Sequence, residues 1–493
     1  MEISRPILTI LIIGLYFSIL LIISHFTSRK ADNASFFIGN RKMPWLAVAL
    51  AMITAPISGV TFVSVPGMVI AKGYSYLQMC LGFIVGYFVI ALILVPLYYK
   101  HNIVSVYSFL ETRFGIKAYK TGAWFFLISK LLSTAVKFLV VCIVLQMLVY
   151  DQIGLSFFIN VGITLFFIGL YTFKGGVKTV IWADMFKSLC LIGSILFCIY
   201  FISNSLGFTF NELKEKIISH QCTRIFFFDN PSDGTYFWKQ FISGIFLVVA
   251  MTGMDQDMMQ HTLSCKDSSS SRKNLYLSSF LQFGVILLFL ILGTLLLLFI
   301  EKYNIGVPSK TDDIFTTVAF HEEMPLIVGI LFLLGLVSAS YSSVGSAMTS
   351  LTTSFTVDIL EARKKCDEKK LIRTRNYVHI AIGASIALLI MGFYYLNNQD
   401  AISAVYTLAS YTYGPILGLF VFGIFSKKRI RTNYVASICI IAPILSWVLQ
   451  WVSQTYFDYV IGFELLLLNA SIIIGGLYFV KEETQELPVT SFS

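Results

Sequence analysis

Charge is what this sequence has least of. Asp, Glu, Lys and Arg make up only 13% of its 493 residues, where a soluble globular chain carries about 25%. With 57% hydrophobic residues and a mean hydropathy of +0.78, that deficit excludes a water-soluble multidomain enzyme and puts the chain in a lipid bilayer. Paired cysteines are missing too. None of the eight, Cys80, Cys142, Cys190, Cys198, Cys222, Cys265, Cys366 and Cys439, falls in a C-x-x-C pair, and most lie within apolar runs. Neither a disulfide framework nor a zinc site is supported. There is no P-loop, no G-x-S-x-G and no paired catalytic constellation, and the six histidines are scattered. Enzyme activity and ATP-driven work therefore have no support. The net charge of +9 does not point to nucleic acid, because the basic residues sit in short loops between apolar runs.

Thirteen apolar spans fill the chain, at roughly 6–25, 44–71, 76–99, 121–150, 155–173, 178–205, 237–258, 275–300, 325–357, 377–396, 400–426, 433–452 and 458–480. Each is close to the ~20 residues that cross ~30 Å of hydrocarbon. Unpaired backbone groups are too costly there, so the spans are helices, and they are too long for the alternating strands of a barrel. The first run, Ile7 to Ile23, leads into Ser28-Arg29-Lys30 with no small-residue cleavage site, so it reads as a retained helix. With the N-terminus outside, 25 of the 36 basic residues fall in inner loops, seven in outer loops, and four (Lys130, Lys137, Lys187, Lys239) within spans. That asymmetry predicts N-out, C-in, with an odd number of helices. An outer loop from Asn204 to Phe237 holds an amphipathic stretch, Asn211 to Ile218, and an inner loop from Glu361 to Asn376 is charged. The chain reads as one transmembrane domain: a first helix at 6–25, two five-helix blocks at 44–205 and 237–426, and terminal helices within 433–480. The blocks enter the membrane from opposite sides, as an inverted repeat would.

Polar and helix-breaking residues inside the spans are the candidates for function. The second span contains Ala55-Pro56-Ile57-Ser58-Gly59-Val60-Thr61. Proline there removes a donor and clashes with the preceding turn, which either unwinds the helix and frees carbonyls for a cation or merely kinks it. The ninth span carries Ser338-Ala339-Ser340-Tyr341-Ser342-Ser343-Val344-Gly345-Ser346, small residues that permit close helix contact and supply hard oxygen donors. Asp184, in the sixth span, is an intramembrane carboxylate costing about 2.5–3.5 kcal/mol to insert. It either pairs with Lys187, three residues on, or binds a cation. The seventh span ends in Asp255-Gln256-Asp257, acids expected near the inner surface, solvated or capping the next segment. Gly414-Pro415 is expected to interrupt the eleventh span.

These blocks, Ser58 to Phe62, Gly175 to Asp184, Asp255-Gln256 through Gln260, and Ser342-Ser343 with Gly414-Pro415, occur in the order and on the helices of the sodium:solute symporters, which the chain resembles along essentially its whole length. The resemblance implies an all-α integral membrane protein with a LeuT-like five-plus-five inverted repeat. It implies a Na⁺ site between the second and ninth spans, formed by carbonyls of Thr54, Ile57 and Ala339 with hydroxyls of Ser342 and Ser343. It also implies a second Na⁺ site of Asp184, Ser342 and Ser346, with Gly345 standing where such members have a serine. Ser58 and Thr61 match positions that face solute. Ser133 stands where a sialic acid carrier has a carboxylate-binding arginine, and a glutamine of that carrier has no counterpart, so a sialic acid carrier of that design is not expected.

Lys130 and Lys137 flank Ser133 on one helical face. Either one of them holds an anionic solute such as a carboxylate, or Lys130 pairs internally or snorkels inward and Lys137 outward. The resulting expectation is sodium-coupled symport of a small organic solute, carboxylate or sugar-like, across the cytoplasmic membrane by alternating access. Na⁺ is the coupling ion, with no other cofactor, no nucleic acid, and a single chain as the unit. The competing readings are a proton-coupled or uncoupled carrier of the same fold, and a membrane sensor. The 13 residues after Val480 argue against a fused signalling domain.

Overall fold

The computed structural model describes residues 5–29, 32–396, 401–457, 459 and 461–480. Among them the regular structure is helical, apart from one bridge between Met43 and Cys265. Each of the thirteen apolar runs falls on helix. The chain begins with α1 (Arg5–Ser28), then α2 (Trp45–Thr54) and α3 (Gly59–Gly67) on either side of a break. There follow α4 (Tyr76–Val89, running on to Lys100), α5 (Ile116–Leu145), α6 (Phe157–Thr172) and α7 (Gly176–Leu206). The second half opens with α8 (Phe237–Val248) and α9 (Gln256–Thr262), again across a break, and continues through α10 (Ser268–Lys302), α11 (Leu326–Ser354), α12 (Glu368–Leu396) and α13 (Ala401–Phe425). α14 (Val435–Phe457) and α15 (Leu465–Phe479) close the chain.

Nine described helices are long and apolar enough to cross a membrane, and the two bent pairs raise that to eleven. The helices α6 and α15, of 16 and 15 residues, reach only about 22–24 Å at a 1.5 Å rise. The bundle's centre is α11, whose most apolar window is 83% buried against 22% for those of α1 and α14. Its small residues let neighbours approach closely, while Leu15, Leu388 and Trp447 point outward from peripheral helices.

One expected interruption is absent. α13 runs straight through Gly414-Pro415, because a partner replaces what proline removes. Proline at 415 cannot donate to the Tyr411 carbonyl. Asn469 of α15 does so instead, with Nδ2 2.9 Å from the Tyr411 oxygen and 3.2 Å from that of Ser410. Gly414 makes the room: a Cβ there would lie 2.4 Å from Asn469 Cγ. The loop between α7 and α8 forms a short helix, Phe210–Ser219, whose first turn is capped by Thr209 and Glu212 bonding each other's backbone amides.

Candidate functional site

At the first break, α2 and α3 meet at 60°. Pro56 leaves the Met52 carbonyl without its helical amide, and Gln282 of α10 takes it, Nε2 to oxygen 2.8 Å. Gln282 is held in turn by the Tyr87 hydroxyl at 3.1 Å. The Ser58 amide turns to Thr61 Oγ1 at 3.3 Å, away from the Thr54 carbonyl it would meet in a continuous helix. The break is thus a stable, satisfied feature that leaves carbonyl oxygen at the end of α2. Gly59 then lets α3 lie on α11 and α5, since a Cβ would be 2.2 Å from Ser340 Oγ and 2.4 Å from Val141 Cγ2.

The second break corrects the reading of Asp255 and Asp257 as solvated. α8 and its continuation to Gly253 meet α9 at 73°, and both acids are buried. The capping half of that reading stands: Asp255 Oδ1 accepts from the amides of Asp257 (2.8 Å) and Met258 (3.2 Å). The carbonyls freed at the bend go to tyrosines, Gly253 to Tyr98 (2.8 Å) and Met254 to Tyr107 (3.0 Å). Lys130 of α5 supplies one positive charge between the two acids, its Nζ 2.6 Å from Asp257 and 3.4 Å from Asp255. Tyr413 of α13 donates to Asp255, and Ser346 of α11 to Asp257. An intramembrane charge needs a partner facing the bundle interior, and here three charges find one another around the bend.

Between the two breaks lies a cavity of about 110 Å³. Ser58, Thr61, Lys130, Ser133 and Lys137, the five solute candidates, all line it. So do Asp255, expected from the sequence only to cap or meet solvent, and Gln282 and Tyr413, given no role there, with Phe83, Leu247, Met251 and Ile286 forming an apolar side. The two lysines differ. Lys130 is neutralised by Asp255 and Asp257, whereas among the described residues Lys137 makes no ion pair.

Of the residues of the expected first cation site, Thr54 and Ser342 are joined directly and Ile57 lines the cavity. Thr54 ends α2, Ile57 lies in the break, and Ala339, Ser342 and Ser343 are on α11; all are buried. Ser342 Oγ donates to Thr54 Oγ1 at 3.1 Å, which joins the two helices. Thr54 also meets Ser188 of α7 at 3.0 Å. Carbonyl and hydroxyl oxygens with no nitrogen donor suit a hard cation such as Na⁺, so these residues fit it.

The side chains of the second set are each bonded to other partners. Asp184 and Lys187 are both fully buried and 3.1 Å apart. Ser342 is bonded to Thr54 and Ser346 to Asp257. The other Asp184 oxygen faces His261 Nε2 at 3.5 Å.

The fold and site together define a multi-pass, all-helical membrane protein with discontinuous helices around a cavity that has both polar and apolar walls. A family model, Sodium:solute symporter family, matches residues 36–436, and this chain belongs to that family. It is 22% identical to the sodium/iodide cotransporter of Homo sapiens over 407 residues, covering 80% of this chain and 61% of that one. It is 23% identical to the sodium/sialic acid symporter NanT of Aliivibrio fischeri, over 89% of this chain and 87% of that one. The solved structure of a Na⁺-coupled sialic acid symporter in a substrate-bound outward-open state superposes with a TM-score of 0.82, at 18% identity, over 97% of this chain and 99% of that one. The fold is therefore the LeuT-like one. The chain spans less than two thirds of the length of the sodium/iodide cotransporter.

Proposed function

We propose that this chain is a Na⁺-coupled symporter that carries a small organic anion, a carboxylate being the best fit. The observation that carries the reading is the shared wall between ion and solute. The segment around the break at Ala55 to Ser58 meets Ser342 through Thr54, while its Ile57, Ser58 and Thr61 face the cavity. An ion held by Thr54, Ile57, Ala339, Ser342 and Ser343 steadies the segment that the solute then binds. Coupling needs that differential affinity between states. Lys137 supplies the cation for a carboxylate, and Ser133, Ser58 and Thr61 supply hydroxyls. The apolar side accepts the rest of the solute. Two of the relatives are named for anions, iodide and sialic acid.

Both broken helices open a five-helix block, at 44–205 and 237–426, and paired interruptions in corresponding positions mark the binding site in repeat-built transporters. Rocking of one block against the other, with the N-terminus outside and the C-terminus inside the cytoplasmic membrane, gives alternating access by a single chain. A thermal-shift screen of purified protein against carboxylates, sugars, amino acids and vitamins, in NaCl and in choline chloride, tests the proposal. Stabilisation by a carboxylate only in Na⁺ is expected. Equal stabilisation in choline would overturn coupling, and stabilisation by neutral sugars alone would overturn the anion.

A further inference from the structure

We infer that the Lys187 ammonium is a built-in cation that fills the oxygen cage around Asp184, so that the carrier binds one Na⁺ per chain and no second ion there. The inference rests on the symport reading above. Lys187 Nζ has three protons to donate, and three oxygens receive them: Tyr171 Oη at 2.7 Å, Asp184 Oδ1 at 3.1 Å and the Tyr341 carbonyl at 3.2 Å. Tyr171 itself donates to that carbonyl at 2.9 Å, which fixes its lone pairs toward the ammonium. All four groups are buried, so water does not compete.

The residue at 345 agrees with this arrangement. A Cβ on Gly345 would lie 2.0 Å from Tyr171 Oη, so the space a side chain at 345 would need is held by the hydroxyl that receives the lysine. Lacking that side chain, position 345 offers a cation no hydroxyl. Ser342 and Ser346 are turned to Thr54 and Asp257. A metal cation arriving at Asp184 would therefore find a positive charge already in contact with Oδ1, and only Oδ2, which faces His261 Nε2 at 3.5 Å, without a hydrogen bond. Asp184 thus acts through Lys187 on the packing of α7 against α11, and its charge attracts no transported ion.

Counting radioactive sodium bound at saturation by purified full-length protein tests this directly, with no solute needed. Wild type is expected to bind one ion per chain with a Hill coefficient of about one. Lys187→Ala, which opens the cage and leaves Asp184 charged, is expected to bind two. Asp184→Asn combined with Lys187→Met removes both charges together and is expected to bind one. Two ions on wild type, with the second absent from the double variant, would overturn the inference. A single ion on folded Lys187→Ala would overturn it as well, because the ammonium would then exclude nothing. Should Lys187→Ala fail to fold, the comparison of wild type with the charge-free double variant still decides. No sodium on wild type would instead overturn the symport reading, and the inference with it.

Discussion

Replacing Lys137 by glutamine separates a solute contact from a structural charge. Lys137 lines the cavity and makes no ion pair among the described residues, so its removal strands no carboxylate. The loss should fall on the solute. A hydrogen bond to a charged group contributes about 1.5–3 kcal/mol, which is about 10- to 150-fold in affinity at 1.4 kcal/mol per decade. Lys130 should behave in the opposite way. It stands 2.6 Å from Asp257 and 3.4 Å from Asp255, and its loss leaves two buried acids without a cation, a change costing about 3–5 kcal/mol. The assay is the thermal midpoint of wild type, Lys137→Gln and Lys130→Gln in NaCl, with and without a series of short monocarboxylates. Lys137→Gln should melt close to wild type when no carboxylate is added and need at least tenfold more carboxylate for the same stabilisation. Lys130→Gln should melt well below wild type under all conditions. Carboxylate binding by Lys137→Gln at wild-type strength would refute the assignment of Lys137, as would wild type that no carboxylate stabilises.

Ser342→Ala removes a hydroxyl from the expected cation site and should raise the Na⁺ concentration for half-maximal stabilisation about tenfold or more, for the same 1.5–3 kcal/mol reason; an unchanged Na⁺ titration would remove Ser342 from the site. Gly59→Ala puts a methyl 2.2 Å from Ser340 Oγ and 2.4 Å from Val141 Cγ2, an overpacking that costs about 1–3 kcal/mol, and a lowered thermal midpoint checks it. Asn469→Leu strands the Tyr411 carbonyl beside Pro415, a loss of about 1–3 kcal/mol that should also appear as a lower midpoint, with Na⁺ affinity unchanged because α15 is remote from Thr54 and Ser342.

Helices were legible in the sequence because in a bilayer hydrophobicity and length are nearly the whole constraint, and each apolar run became helix. Chain breaks were legible only in part. Ala55-Pro56 breaks its helix and Gly414-Pro415 does not, yet both prolines free a carbonyl that a distant amide then takes, Gln282 for Met52 and Asn469 for Tyr411. A sequence shows the missing donor but not the replacement, nor whether the helix beyond it stays in line. Asp255 and Asp257 read as solvated or capping because they sit at the end of an apolar run, and only the capping holds, at Asp255. The 73° bend carries the chain back into the bundle, where Lys130, 125 residues earlier, is waiting. The signal available was Lys130 itself, an intramembrane cation that needed an acid. Likewise Gln282, a lone glutamine in the apolar run of α10, was a polar residue in search of a role.

The two proposals together fix the electrical behaviour. One Na⁺ moving with one monovalent anion transfers no net charge, so the membrane potential, worth about 2.3 kcal/mol per charge at 100 mV, does not drive transport. A tenfold Na⁺ gradient alone supplies about 1.4 kcal/mol and hence about tenfold accumulation. Uptake of a carboxylate into proteoliposomes should therefore follow the Na⁺ gradient and be indifferent to a potassium diffusion potential set with valinomycin, inside negative. Acceleration by that potential would mean either a second Na⁺ or a neutral solute. The bound-sodium count distinguishes these: two ions would return Asp184 to the role of a cation ligand, and one would remove the charge from the solute and leave Lys137 without its partner.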